Sequence, residues 1–206
     1  MCNVPIKQIR CMKKSFLLFV FSLVAVFGFA RPDTDYFHNP KYAAGAVPVV
    51  GGKVVFSYDI ETGFDENATY KRATDWAMGR FVEPKVLNSH VLQKNSQDKL
   101  FKLFSAETMV FKKSAFVTDF TKISYTTVIT VKGNVCNISF TDIVYNYNEN
   151  RPEVEATEYA AEDWITDAES INKGKTKFLK KTGKFRVATI DLFSNLSEEL
   201  KAAFEL

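Results

Sequence analysis

Alternating apolar and polar positions predict that much of the chain is β-strand. The clearest case is 121–131, where Ile123 and Ile129 share one face and Ser124 and Thr126 share the other. Side chains alternate across a strand, so this pattern is typical of a strand that is buried on one side. Four further strands are predicted at 49–60, 86–93, 100–111 and 136–147, of which 100–111 is apolar on both faces in places.

The last two of these strands in chain order are predicted to form a hairpin. Lys132-Gly133-Asn134 separates them, and Gly and Asn tolerate the positive φ of a tight turn. The apolar positions that follow lie first at Cys136, Ile138 and Phe140 and then at Ile143, Tyr145 and Tyr147. This change of phase by one residue predicts a β-bulge near 141–142, which would re-aim the side chains beyond it.

Apolar residues at helical spacing predict three helices, at 65–82, 160–171 and 187–204. Asp65 is the predicted N-cap of the first helix, and Pro84 ends it. The order is therefore strand, helix, four strands and two helices. It predicts an α+β fold, in which an antiparallel sheet of about five strands carries its helices on one face.

The segment between the last strand and the last helix is strongly charged. Its first part, 160–171, is acidic, but Trp164 falls on the apolar side of the predicted helix and is interpreted as its core anchor. Its second part, 173–186, is basic and is interpreted as a connector with a break at Gly183. An exposed phosphate-binding patch that ends at Arg186 is the alternative.

The first 30 residues have the three regions of a secretory signal peptide. A basic start with Lys13 and Lys14 precedes the apolar run FLLFVFSLVAVFGFA, which ends at Ala30. The run is shorter than the roughly 20 apolar residues of a spanning helix, so cleavage after Ala30 is predicted, with a retained anchor as the alternative. Met12 is an alternative start. The predicted organisation is a signal peptide at 1–30, a linker or loosely ordered arm at 31–48 and a single α+β domain at 49–206.

Cleavage of the signal changes the charge and the cysteine content. The chain has 27 basic and 24 acidic residues, and removal of the four basic residues of the signal leaves 23, a net charge of about −1. Nucleic-acid-binding domains usually carry a net positive charge, so a nucleic-acid partner is not predicted. Cys136 alone remains, which excludes an intramolecular disulfide, and the residue immediately after the apolar run is Arg31 instead of a cysteine that could carry a lipid.

The usual motifs of catalysis and cofactor binding are missing from the sequence. His38, His90 and Cys136 have no metal-ligand spacing, no nucleophile elbow is present, and Gly51-Gly52 precedes a strand instead of a helix. No catalytic residue, metal or cofactor is therefore predicted. A hydrolase acting on cell-envelope or glycan material stays as the alternative function, with an acid pair or a serine beside His90.

Several short motifs resemble those of one bacterial family. They are Gly52-Lys53-Val54-Val55-Phe56, Trp76, Ile123-Ser124-Tyr125, Glu162-Asp163-Trp164-Ile165-Thr166-Asp167, Asn172-Lys173, Gly183-Lys184-Phe185-Arg186 and Thr189-Ile190-Asp191. The family has no known function, a TATA-binding-protein-like fold and members that are mainly secreted envelope proteins of Bacteroidetes. The resemblance implies a curved antiparallel sheet with helices on one face, and it implies no activity. Ala160 departs from the Ser or Thr expected to cap the helix that carries Trp164.

The predicted function is that of an exported binding or assembly module without catalysis. Recognition is expected on the open sheet face or at an edge strand, and the partner is an envelope protein, a peptide or a glycan. The candidate ligand-binding residues are Tyr145 and Tyr147, which follow the bulge, together with Trp164 and Arg186. The predicted location is periplasmic or extracellular, with no membrane anchor after cleavage.

Overall fold

A six-stranded antiparallel sheet organises the computed structural model, which describes residues 36–113, 118–148 and 153–205. The predicted signal peptide and its alternative start lie outside the described residues. Arg31–Leu206 forms one compact unit. Among the described residues, no helix has both the length and the hydropathy needed to cross a membrane.

Eight strands and three α-helices lie entirely within the described residues. The strands are β1 Val49–Val50, β2 Lys53–Val54, β3 Phe56–Glu61, β4 Asn88–Asn95, β5 Leu100–Lys113, β6 Thr118–Lys132, β7 Val135–Tyr147 and β8 Thr157–Ala160. The helices are α1 Glu66–Arg80, α2 Asp167–Ser170 and α3 Lys180–Glu205, with 3-10 turns at Pro40–Tyr42 and Ala161–Asp163.

The main sheet has the order β3-β7-β6-β5-β4, and β8 pairs with the end of β7. The predicted hairpin between β6 and β7 is confirmed, with Gly133 at a φ of 61°. The predicted bulge is also confirmed, because Thr126 pairs with Thr141 whereas Ser124 pairs with Val144. Two residues of β7, Asp142 and Ile143, thus lie opposite the single Tyr125 of β6, and Asp142 has a φ of 52°.

Both long helices pack on one face of this sheet, as the sequence predicts. The side chain of Asp65 caps α1 by accepting a hydrogen bond from the backbone N–H of Ala68. The centre of the helix–sheet core is aromatic, since Phe193 of α3 stacks on Phe140 of β7 with ring centroids 4.4 Å apart. Burial of such rings is a main contribution to the stability of the domain.

The predicted helix at 160–171 is wrong over most of its length. Residues up to Ala160 form β8, because Tyr159 pairs with Tyr145 across the sheet. Ala160 then starts a 3-10 turn without a side-chain cap, and only Asp167–Ser170 is α-helical. The local apolar spacing fits a helix, but pairing with a distant strand decides the outcome.

Two other predicted boundaries are also wrong. The expected strand at 49–60 is broken at Gly51 and Gly52, which have positive φ and separate β1 from β2. The last helix begins at Lys180, so the connector is shorter than predicted and Gly183 lies inside α3. The reason is packing, since the backbone of Gly183 approaches the side chain of Phe178 closely.

Residues 40–48 of the predicted loose arm pack on the domain. Tyr42 and Val47 are each 6% exposed, and the Tyr42 hydroxyl donates a 2.8 Å hydrogen bond to Asp191 of α3. The Pro- and Ala-rich composition of the arm hides these two anchors, because isolated buried side chains leave no periodic signal.

Gly183→Ala is expected to destabilise the domain. The added Cβ would lie 2.5 Å from the Cβ of Phe178, so we expect the free energy of unfolding to fall by about 1–3 kcal/mol in urea unfolding. Gly79→Ala in α1 is the matched control. Its new Cβ meets nothing within 4 Å, so it should gain roughly 0.5–1 kcal/mol from lower backbone entropy. A neutral Gly183→Ala variant would contradict the close packing.

Candidate functional site

The structure brings three of the four candidate residues together around one ring of α3. Phe185 makes edge contacts with Tyr145, Tyr147 and Trp164, at centroid distances of 5.0, 5.1 and 5.7 Å. Phe111 of β5 approaches the same ring at 4.5 Å. The aromatic residues that the sequence singles out are thus part of the seam between α3 and the sheet.

Tyr145 is fully buried in this seam. Its hydroxyl forms a 2.7 Å hydrogen bond with the hydroxyl of Thr189 on α3, and its ring packs on Phe185. Burial raises the pKa of Tyr145 above its usual value. The bulge therefore aims this side chain into the helix layer, where it fixes α3 to β7.

Tyr147 lies at the end of the seam, where it joins a small polar cluster. Its hydroxyl donates to Asp119 at 3.0 Å, and Lys184 donates to both Asp119 and the Tyr147 hydroxyl, at 2.6 and 2.7 Å. The Lys184 ammonium also lies 4.7 Å from the ring centroid of Phe111. These contacts join the start of α3 to β6 and β7 through an ion pair with partly exposed side chains.

Trp164 is the one candidate with a partly exposed ring. It stacks on Tyr159 of β8 with centroids 3.9 Å apart, and Lys181 lies 5.3 Å from its centroid. Its indole nitrogen is buried and has no hydrogen-bond acceptor among the described residues. Trp164 therefore packs β8 against α3, and it anchors a turn instead of the helix that the sequence predicts.

Arg186 is completely buried, which is unusual for arginine. Its guanidinium donates to the carbonyls of Tyr42 and Ile165 at 3.1 and 3.0 Å, and to that of Ala43. It also forms a 2.8 Å ion pair with Asp167. Burial lowers its pKa and Asp167 opposes this shift, so the residue stays a cation. All of these contacts hold separate segments of the chain together.

Sequence reasoning missed a second charge in the packed interior, the partly buried Arg80 at the end of α1. It pairs with Glu107 of β5 at 3.3 Å and with Glu199 of α3 at 2.9 Å, and Glu107 also accepts a hydrogen bond from Tyr125. Burial and the neighbouring Glu107 raise the pKa of Tyr125 well above its usual value. Two carboxylates already compensate the single guanidinium. No local pattern links these residues, which come from four elements.

Arg80 and Glu199 also line a groove between the C-terminal ends of α1 and α3. Trp76, Gly79 and Ala202 supply its apolar wall. Arg80 is the cation of this groove whose guanidinium is largely buried, and Glu107 and Glu199 already neutralise its charge. The groove therefore has little attraction for an anionic ligand.

The other face of the sheet carries no described helix. Along β5, β6 and β7 every second residue is only partly buried or exposed, and the buried ones face α1 and α3. We call this surface the open face. The strand registers place on it the rows Leu100–Thr130–Asn137–Asp59, Lys102–Val128–Ser139–Ser57, His90–Phe104–Thr126–Thr141 and Asn88–Ala106–Ser124–Val144.

Hydroxyl and amide groups dominate the open face, with one aromatic platform near its β4 edge. His90 stacks on Phe104 with centroids 5.0 Å apart and an angle of 29° between the rings. Phe104 is half-buried and His90 exposed, so the pair presents an apolar surface beside Thr126. Such a combination suits an extended ligand with both polar and apolar parts.

The strand register separates His90 from the nearest serines. Ser89 and Ser105 pair with each other and lie on the helix side of the sheet, whereas His90 lies on the open face. Ser89 donates its hydrogen bond to the carbonyl of Phe81. Within the described ranges, no three His, Cys, Asp or Glu side chains are placed to hold a metal ion.

Comparison with known proteins places this arrangement among bacterial proteins of unknown function. A family described as "domain of unknown function (DUF4468) with TBP-like fold" matches residues 62–146, from the end of β3 through almost all of β7. None of the curated proteins matches the chain.

Two solved structures share the fold along most of the chain. A DUF4468 family protein of Bacteroides ovatus is 30% identical with a TM-score of 0.73, over 85% of this chain and 96% of its own. A TBP-like protein of Parabacteroides distasonis is 25% identical with a TM-score of 0.62, over 77% of this chain and 97% of its own.

The open antiparallel sheet with its helices on one face thus defines a TBP-like α+β protein. Within that class the chain belongs to the DUF4468 family. The family resemblance seen in the sequence is confirmed, and so is the fold class that it implies.

Arg186→Ala is expected to destabilise the whole domain and not merely a local surface. It removes a completely buried side chain and leaves three carbonyls without the guanidinium N–H groups, so we expect a loss of about 3–5 kcal/mol in urea unfolding. Lys201→Ala, which removes an exposed cation from the same helix, is the control and should change stability by less than about 0.5 kcal/mol. Equal effects of the two variants would show that Arg186 has no structural role.

Proposed function

We propose that this chain is an exported binding or assembly module, without catalysis, that recognises an extended partner on its open face. The observation that supports this proposal is the asymmetry of the sheet. One face is filled by aromatic side chains under α1 and α3, whereas no described element packs on the other.

The chemistry of the open face favours recognition over reaction. Its central row contains Thr126 and Thr141 beside the platform of Phe104 and His90. Hydroxyl groups exchange hydrogen bonds with the amides of an extended peptide or the hydroxyls of a glycan, while the rings cover apolar parts. An envelope protein, a peptide or a glycan is therefore the proposed partner.

Tyr145, Tyr147, Trp164 and Arg186 take a supporting role in this proposal. Their contacts join α3, β8 and the arm to the sheet, as described above. A rigid sheet is the scaffold that a recognition surface needs, because a preorganised surface loses less entropy on binding. We propose that these residues affect binding only through the stability of the sheet.

The proposed export rests on the sequence of residues 1–30. When the full chain is expressed in a bacterial host of the Bacteroides type, we expect the recovered protein to begin at Arg31, in the soluble envelope fraction. N-terminal sequencing and intact mass measure this directly. A protein that still begins at Met1 or Met12 would contradict export by signal cleavage.

Binding on the open face is tested by blocking its centre. The full chain carries a C-terminal tag, is recovered after expression and is used to capture partners from cell-envelope extract. Thr126→Arg places a long cation directly beside Phe104, and Thr141→Arg places one in the same row on the next strand, so we expect at least about tenfold less capture of any partner. Asn195→Arg adds the same charge to an exposed position of α3 and should leave capture unchanged.

Both outcomes are read beside the thermal unfolding of each variant. Loss of capture in a folded Thr126→Arg protein supports the open face as the binding surface. Unchanged capture in both folded open-face variants would place the binding surface elsewhere and overturn the proposal.

A further inference from the structure

Strand β4 extends beyond the helical layer. The helices α1 and α3 pack against β3, β5, β6 and β7, while β4 makes its main contacts with β5. Six of the eight residues of β4 are exposed. The strand therefore lacks the cover that the rest of the sheet receives on its helix side.

Three large apolar side chains are exposed along this uncovered strand. Leu87, which leads into β4, is 48% exposed, Val91 is 42% exposed and Leu92 is 51% exposed. Val91 lies on the helix side of the sheet, since it pairs with the buried Leu103. A bulge gives Leu92 no partner on β5. Exposed apolar residues grouped on one strand mark an interaction surface more often than isolated ones do.

The outer side of β4 is also free to form backbone hydrogen bonds. Among the described residues β4 pairs with β5 alone, so it is an edge strand of the sheet. Edge strands are normally protected by charges, prolines or a covering loop. In β4 the sequence is NSHVLQKN, with Lys94 as its one charged residue and no proline.

The opposite edge of the sheet shows what a protected edge looks like here. β3 is only six residues long and exposes the charged side chains of Asp59 and Glu61. The four residues of β8 form the rest of this edge. The hairpin of β1 and β2 adjoins it, and Glu162 accepts a hydrogen bond from the backbone of Val54. Only the β4 edge combines length, exposed apolar side chains and low charge.

Two copies of β4 have complementary side chains when they pair in antiparallel orientation. With a twofold axis between Val91 and Leu92, antiparallel pairing sets each Val91 opposite the Leu92 of the other copy. The outer pairs are then His90 with Gln93, Ser89 with Lys94 and Asn88 with Asn95. Apolar side chains meet at the centre, and no like charges face each other.

We propose that a second copy of this chain occupies the β4 edge, so that two sheets join into one across a twofold axis. A twofold interface uses the same patch on both subunits, which is the property that β4 has. Eight paired residues give a contact about 27 Å long. The bulge of each copy lies beside the axis, where the extra twist has the same sense in both strands.

This dimer uses the β4 edge and does not require ligand binding on the open face, although His90 belongs to both surfaces. It would bring the platforms of His90 and Phe104 from both copies to the same side of one continuous sheet. Variants of the open face are therefore expected to change the capture of a partner. Variants of the β4 edge are expected to change the mass of the protein in solution.

The first test measures mass in solution. The full chain is expressed, and the recovered protein is analysed by sedimentation equilibrium, where we expect a dimer. Val91→Lys with Leu92→Lys sets lysines opposite each other twice, so the dissociation constant of the dimer should rise at least about a hundredfold. Val154→Lys with Leu179→Lys is the matched control, because these residues are 43% and 41% exposed at other places and should leave the dimer intact.

The second test does not depend on the folding of the double variant. A spin label is placed at Gln93→Cys in a chain with Cys2→Ser and Cys11→Ser. Burial raises the pKa of Cys136 to about 12, so its thiol stays unlabelled near pH 7. The register above predicts a distance below roughly 25 Å between the labels of two copies. The same label at Asn195→Cys on α3 should give a longer distance.

Three results would overturn the proposal. They are a monomer in sedimentation equilibrium, a dimer that the β4 lysines leave unchanged in a folded protein, and the absence of a short distance between labels at Gln93→Cys. Capture of a different protein by a β4 edge that stays monomeric alone would replace the second copy with another partner.

Discussion

The buried guanidinium of Arg186 is the contact on which much of the architecture depends. It comes from α3, yet its acceptors lie on the arm at Tyr42 and Ala43 and on the turn at Ile165, and its counterion is Asp167. Asp167 in turn accepts a hydrogen bond from the backbone of Gly45. A buried charge is tolerated only when it is paired and hydrogen-bonded, so these segments must keep their positions together. Three parts of the chain that form little regular structure are thereby tied to the longest helix.

The two faces of the sheet differ because α3 packs on one of them and no described helix packs on the other. On the helix side, Phe185 and Phe193 fill the space above β6 and β7 with ring contacts to Tyr145, Tyr125 and Phe140. On the open face, short hydroxyl side chains surround the stacked rings of His90 and Phe104. The sheet is held from one side only, which leaves the other side available without loss of core packing. This asymmetry is the physical basis of the binding role proposed above.

The sequence predicts those features that local pattern determines. Alternation at 121–131 identifies β6, and the phase change after Phe140 identifies the bulge, because each follows from the period of a strand. The segment around Trp164 shows the limit. Its apolar spacing fits a continuous helix, but β8 runs up to Ala160, and the residues after it form a 3-10 turn and the short helix α2. The partners of Arg186 and Arg80 lie up to 144 residues away, so no pattern in sequence could reveal them. Candidate residues chosen for their chemical type were found to hold the fold, and the open face emerges only from the register of the strands.

The bulge at Asp142 gives β7 two registers along one edge. Before it, residues 135–140 pair with β3, and beyond it, residues 144–147 pair with β8. A chain that lost this single residue would turn Tyr145 and Tyr147 to the opposite side of the sheet, since one step along a strand reverses every side chain. The seam under α3 would then lose both of its tyrosines at once. The extra residue at Asp142 therefore keeps the apolar side chains before and after the bulge on the face that packs against α3. This effect depends on the number of residues in β7 and not on the carboxylate of Asp142.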